Sequence, residues 1–391
     1  MMVLFRHDDT SQIVIHTANM ITQDWRNLSQ AVWQSPLLQP LTATPADPMK
    51  TSEPAAVGTG TRFKLDFLKY IGFYERSRTG SLSDQLEKYD FSPIKAALIA
   101  SVPCKQKSQT NTQCRTTRSG WLGLQDIMPK LPTRTRFDER PVIVAQVSSI
   151  ATLGPTTAWI DSFFGTLNAS NKAFGKPPIR RIIFPNTDEV RRSHDGYASG
   201  SSIHTKIQSK SQAKQVDYLR PLLCYWAGDA DGLRPPTAET PIREAGRRRA
   251  APHIKTYVRF TNKDMNQIDW AMITSANLST QAWGTLPNKD GEVKISSYEL
   301  GVVVWPALFD EPEAGSASTG QGKSVMVPTF KQDTPSLPEA AVGDAKRVVG
   351  LRMPYDLPLV RYTDEELPWC ATAEYQESDN FGRSWHGFGG R

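Results

Sequence analysis

Residues 15–25 read IHTANMITQDW and residues 273–283 read ITSANLSTQAW. Aligned without a gap, the two stretches share Ile, Ala, Asn, Thr, Gln and Trp, six identities at one offset of 258 residues. A period of that length is too long for a solenoid and predicts two homologous halves that face each other. Each copy is a strand-like run that breaks at the Asn, so each Asn is expected at a strand-to-helix junction. An Asn there caps or turns the chain unless its surroundings give it another task.

Working outward, β-rich runs recur at residues 12–17 (QIVIHT), 96–102 (AALIASV), 141–147 (PVIVAQV), 180–184 (RRIIF), 253–260 (HIKTYVRF), 270–274 (WAMIT) and 300–305 (LGVVVW). Several are wholly apolar, as in a sheet covered on both faces. Helix-like segments at 83–89 (SDQLEKY) and 157–167 (TAWIDSFFGTL) lie between them and predict an α/β fold. Stretches rich in Pro, Gly, Ser and Thr at about 41–61, 105–120 and 310–323 read as loops or linkers. At 391 residues the chain exceeds one ordinary core, and we place a lobe boundary in the second stretch, giving lobes 1–120 and 121–391.

Forty-six Lys and Arg against 40 Asp and Glu leave a net charge of +6, which favours a polyanionic partner over a basic one. No apolar run approaches the ~18 residues of a membrane span. Cys104, Cys114, Cys224 and Cys370 lie far apart without a CxxC pair, matching neither a zinc site nor a disulfide framework, so reduced thiols are expected.

His253, Ile254 and Lys255 precede Asn277 on an expected strand, where residues two apart share a face. A His and a Lys projecting together can hold a phosphate. Carrying His253 back by the same offset of 258 gives position −5, so the partner motif is expected ahead of Met1 and the first lobe incomplete. A second His-x-Lys, His204 and Lys206, sits in a Ser-, Lys- and Gln-rich stretch without strand periodicity and is expected to be a solvated loop. The run Gly246-Arg247-Arg248-Arg249 reads either as a nucleic-acid backbone contact or as a solvated charge cluster, and Trp25 and Trp283 as core.

The strings APHIKTY (251–257), TSANLS (274–279), AWG (282–284) and SYELG (297–301) resemble the carboxy-terminal catalytic motif of the tyrosyl-DNA phosphodiesterase family, in the phospholipase D superfamily. Residues 14–19 and Trp25, with QAVW (30–33) and SPL (35–37), resemble the segment after that family's amino-terminal His-x-Lys. The resemblance continues through QVSS (146–149), Gly196-Tyr197, MPYDLP (353–358), Pro368-Trp369 and Trp385, and so covers essentially the whole chain.

The resemblance implies two pseudo-twofold-related phospholipase D-like α-β-α sandwich lobes with a site between them. It implies a DNA-repair hydrolase that cleaves a 3′-phosphotyrosyl bond left by topoisomerase I, or a related 3′ adduct. The enzyme is expected to be a nuclear monomer needing no metal or cofactor, to touch no membrane, and to work through a phosphohistidine. Carried over, His253 is the general acid/base, Lys255, Asn277 and Asn19 hold phosphate oxygens, and Glu299 orients His253. Gln30, Ser149, Thr152 and Ser279 are implied contacts to phosphate or DNA.

That chemistry needs a nucleophile, an acid for the leaving oxygen and fixed positive charge, which two His and two Lys supply near neutral pH. With one His-x-Lys absent, little turnover is expected of residues 1–391. Two other readings stand beside this one. The first is a non-catalytic DNA-binding protein. The second is a lipid-cleaving phospholipase D, disfavoured because that pattern carries Asp five residues after the Lys, where this chain has Phe260.

Overall fold

The computed structural model describes residues 1–42, 54–108, 115–136, 138–169, 176–227, 241–310, 324–335, 345 and 347–387. Parts of all three expected linkers, and Cys114, lie outside the described residues.

In chain order the strands are β1 (Met2–Phe5), β2 (Ser11–His16), β3 (Leu28–Ser29), β4 (Val32–Gln34), β5 (Ala97–Ser101), β6 (Cys104–Lys107), β7 (Val142–Gln146), β8 (Ile179–Ile183), β9 (Leu223–Cys224), β10 (Ala251–Pro252), β11 (Thr256–Phe260), β12 (Ile268–Thr274), β13 (Glu292–Ile295), β14 (Glu299–Val304), β15 (Ser324–Thr329) and β16 (Arg347–Arg352). The α-helices are α1 (Gly60–Gly72), α2 (Arg76–Leu86), α3 (Gly120–Ile127), α4 (Ala158–Leu167), α5 (Thr187–Arg191), α6 (Lys210–Leu219) and α7 (Thr280–Trp283).

A mixed sheet runs β16-β15-β12-β11-β7-β8-β9, with β14 added to β12 and β5 added to β14. Its central strands are wholly buried: β7 is VIVAQ with every residue covered, and β12 buries all but one. Such strands are largely apolar because both faces are covered, with Gln146 and Asp269 as buried polar exceptions. Helix α4 shows how one face is closed: Trp159, Ile160, Phe163, Phe164 and Leu167 recur at helical spacing and are all buried. Trp159 stacks on Phe163 at 5.0 Å, and Tyr257 and Trp283 complete the aromatic packing around it.

Two cores result. One gathers Ile13, Ile15, Phe63, Phe67, Ile71 and Leu98 with Leu300 and Val302; the larger holds Leu28, Ala97, Ile99 and residues from 121 onward. Strand β5 is the wall between them, because successive strand side chains point to opposite faces: Ala97 and Ile99 enter one core and Leu98 the other. Its partner β14 divides likewise, Val302 to one side and Val303 to the other. Gly301 of β14 fits where a Cβ would stand 2.4 Å from the Ile273 carbonyl oxygen, which is why the ELGVVV run carries a glycine.

Between β11 and β12, Arg259 pairs with Trp270 while Phe260 pairs with Ile268, leaving Asp269 as the extra residue of a bulge. The bulge turns Asp269 onto Arg259, and the two form an ion pair at 1 % and 4 % exposure.

The repeat reads out as the same local structure twice: β2 and β12, then an Asn-containing turn, then one helical turn ending at Trp25 or Trp283. Its tryptophans part ways. Trp283 is 1 % exposed, whereas Trp25 is 53 % exposed, lies edge-on to His16 and donates to the Asn19 carbonyl at 2.8 Å, which corrects its expected place in the core. No helix among the described residues is long and apolar enough to cross a membrane.

Candidate active site

The sheet's register brings one set of chain ends together. Thr256 pairs with both Gln146 and Ile273, and Thr274 pairs with Gly301. Residues 147–149 after β7, 253–255 before β11, 275–277 after β12 and Glu299 at the start of β14 therefore meet at one edge of the sheet. The HIK segment is not itself strand: His253–Lys255 is the link between β10 and β11.

The first repeat copy reaches this edge through β3, which pairs in parallel with β10, Leu28 with Ala251 and Ser29 with Pro252. The His253 amide donates to the Ser29 carbonyl at 3.0 Å, so the next residues on the two segments, Gln30 and His253, come into contact. The Gln30 amide nitrogen lies 3.3 Å from His253 Nδ1, and its oxygen accepts from Thr17 Oγ1 at 2.7 Å. Gln23 ties the same segment down by donating to the Ala198 carbonyl at 2.8 Å and to Ser201 Oγ.

Asp24 completes the first half's contribution. Its Oδ2 lies 3.2 Å from His253 Nδ1 and accepts the Asn19 amide at 2.7 Å, with the side chain fully covered. Asn19 thus joins the site through its main chain, its side chain being exposed. Lys255 Nζ donates to the His253 carbonyl at 2.6 Å and lies 3.2 Å from each ring nitrogen.

Asn277 is held by its oxygen, which accepts the amides of Ser148 and Ser149 at 3.0 and 2.9 Å. Its amide nitrogen has no hydrogen bond among the described residues, so a donor is left over. Ser149 lies beside it, half-buried. Thr152 is exposed and makes no side-chain hydrogen bond among the described residues. Ser279 is the N-cap of α7, accepting the amides of Gln281 and Ala282.

Glu299 departs from its expected role. Its carboxylate accepts from Ser275 Oγ at 2.5 Å and acts on the Lys255 charge, with no hydrogen bond to His253 among the described residues. β14 delivers Glu299 to the Ser275 side of the edge; Asp24 and Gln30 stand at the histidine instead.

The electrostatics follow from burial. His253 and Lys255 are 6 % and 2 % exposed. Burial first, then the Lys255 charge, pull the His253 imidazole down to about 4, with Asp24 pulling the other way. Burial also pulls the Lys255 ammonium down to about 7, against the attraction of Asp24 and Glu299. Burial raises the Glu299 carboxyl, opposed by its Ser275 bond and Lys255. An arriving phosphate would bring negative charge to two basic groups held below their usual ranges and favour protonation of both.

The sign of this shift is testable. Lys255 binds its proton less tightly folded than unfolded, so stability rises with pH from about 7 to 10.5. The cost of its charge is fully present below about pH 7 and gone above 10.5. Lys255→Met is expected to raise Tm at pH 7 by roughly 3 °C, to lose that advantage at pH 10.5, and to abolish any stabilisation by added inorganic phosphate. Differential scanning fluorimetry at the two pH values checks it.

Sequence reasoning missed Asp24, although the repeat marks it: the second copy has Ala282 at that position, so the carboxylate is a departure from symmetry at a conspicuous place.

The chain's similarities agree with this geometry. The family model described as tyrosyl-DNA phosphodiesterase matches residues 1–363. A Schizosaccharomyces pombe protein named as a probable tyrosyl-DNA phosphodiesterase is 33% identical over 450 residues, covering 98% of this chain and 76% of that protein. Tyrosyl-DNA phosphodiesterase 1 of Arabidopsis thaliana is 28% identical, with 96% of this chain covered, and that of Drosophila melanogaster 30% identical, with 94% covered. The chain spans 59% and 56% of the length of those two relatives. The crystal structure of the yeast tyrosyl-DNA phosphodiesterase superposes with a TM-score of 0.60 at 19% identity, over 95% of this chain and 76% of that one, and so shares its fold. Matched over nearly all its length by the family model and by the S. pombe relative, the chain belongs to the tyrosyl-DNA phosphodiesterase family.

Proposed function

We propose that this chain supplies the general acid/base and much of the phosphate-binding surface of a DNA-repair phosphodiesterase that removes tyrosyl peptides, the remnants of topoisomerase I, from DNA 3′ ends. The observation that carries the reading is the meeting of Asp24, in the first repeat copy, and Gln30, just after it, with His253 and its neighbour Lys255, which precede the second copy. The names of its relatives in Schizosaccharomyces pombe and Arabidopsis thaliana agree with it.

In this reading a nucleophilic imidazole attacks phosphorus, the bond to the tyrosyl oxygen breaks, and protonated His253 gives that oxygen its proton. His253, now neutral, takes a proton from water as the water attacks the phosphohistidine and releases the 3′-phosphate. Asp24 holds the imidazolium through Nδ1, leaving Nε2 for the proton transfer. Lys255, and the amide groups of Asn277 and Asn19, grip the non-bridging oxygens. Ser149, Thr152 and Ser279 contact the DNA strand from the same edge. The enzyme acts in the nucleus as a monomer without a cofactor, with residues 1–120 and 121–391 as its two lobes.

A 3′-phosphotyrosyl oligonucleotide tests this: cleavage that releases tyrosine and is lost in His253→Ala is expected. Cleavage undiminished in His253→Ala would overturn the assignment of the acid/base, and a lipid phosphodiester cleaved faster than DNA would overturn the substrate.

A further inference from the structure

The stretch expected to be a solvated loop, residues 203–206, is instead a built part of the site's rim. Ile203 and Thr205 are 0 % and 4 % exposed, while His204 and Lys206 between and after them face outward, the period of two of an extended segment. The His204 amide donates to the Ser148 carbonyl at 2.9 Å, and the Ile150 amide donates to the His204 carbonyl at 2.8 Å. On the other side of the same 148–151 segment lie Asn277, bound to the Ser148 and Ser149 amides, and Leu278, paired with Ile150. Ser149 is therefore flanked by His204 on one side and by Asn277 on the other.

Much of His204 faces solvent, yet its ring is close enough to the buried pair to feel it. Partial burial, then the charges of Lys206 and Lys255, hold its imidazole below the ordinary histidine range, and His204 in turn helps depress His253. Two His-x-Lys pairs, from segments 49 residues apart in sequence, thus lie within electrostatic reach of one another. Cations that disfavour one another are stabilised together by an anion between them.

We propose that His204, backed by Lys206, is a phosphate-binding residue of this site, donating from the 203–206 segment to a non-bridging oxygen of the group that Lys255 and Asn277 hold from the other side. The inference rests on the phosphate-site reading above and adds a binding residue that the repeat does not contain.

Fluorescence anisotropy tests it with one single-stranded oligonucleotide carrying either a 3′-phosphate or a 3′-hydroxyl, a readout that needs no turnover. The unaltered chain is expected to prefer the 3′-phosphate. His204→Ala should reduce that preference about tenfold, the loss of one charge-assisted hydrogen bond, while His204→Gln, which keeps a donor, retains most of it. The main-chain bonds of His204 survive either change, so Tm should not move. Affinity falling equally for both oligonucleotides would mark His204 as structural and overturn the proposal. Unchanged preference in His204→Ala with preference lost in Lys255→Ala would overturn it while leaving the phosphate site standing. Preference unchanged in both would overturn both.

Discussion

His253→Ala, made in a chain that cleaves a 3′-phosphotyrosyl oligonucleotide, is expected to lower its kcat/KM by about 10³, within the range that one positioned acid/base supplies. The loss should fall mainly on kcat, because Lys255 and Asn277 still bind the phosphate in the ground state. It should also fall unevenly on the two chemical steps. Tyrosine is a tolerable leaving group without an acid, whereas water attacks a phosphohistidine poorly without a base, so a covalent DNA adduct should accumulate and survive denaturing electrophoresis. A variant that loses activity without adduct would assign His253 to binding alone. Asp24→Asn keeps the shape of the carboxylate's contacts but removes its charge from His253 Nδ1, and is expected to lose less than His253→Ala. Full activity in that variant would remove Asp24 from the mechanism.

Asp269→Ala is expected to destabilise the fold by about 3–5 kcal/mol, the usual result of stranding a buried charge. Arg259 would be left at 4 % exposure with Thr135 and Asn168 as neutral partners. Asp269 also accepts the Arg134 amide at 2.8 Å, so the segment leading to β7 loses its anchor as well. The double change Asp269→Ala with Arg259→Met should recover much of the loss, since the uncompensated ion is then gone. Urea unfolding with an unchanged m-value measures both. A single variant as stable as the unaltered chain would mean that the bulge places no essential charge at this position.

What could be read in the amino acids depended on whether the signal was local. The seven β-rich runs quoted from the sequence all contain or overlap observed strands, because a strand's composition is a local signal. The Asn repeat foretold the strand, turn and helical turn at both places. Helices α1, α3, α5 and α6 were missed, although α1 buries Phe63, Phe67, Tyr70 and Ile71 at helical spacing. The pairing of β5 with β14, and of β6 with β13, links residues about two hundred positions apart and leaves no trace in either segment alone.

Among site residues, Gln30, His253 and Lys255 lie in contact, and Asn277 is held by the Ser148 and Ser149 amides at the same end of the sheet. Asp24, to which the sequence reading gave no role, stands at His253 where Glu299 was expected, because which carboxylate reaches a histidine depends on which strand end faces it. His204 was set aside because its neighbours are polar. Ile203 and Thr205 are buried by Ser148–Ile150, a contact that composition does not announce.

The two-residue ladder of β3 with β10 has a consequence for how the protein matures. Gln30 and His253 are 223 positions apart, and the short pairing that aligns them closes that whole span of chain. A closure so long carries a large entropic cost and forms late. During synthesis the strands that flank Gln30 wait, already outside the ribosome, until the 223 residues to His253 have followed. Competence therefore arises at the end of folding and is surrendered at its first reversal, so the amides of Ser29 and His253 should exchange with deuterium before those of β7 or β12 in the unliganded protein.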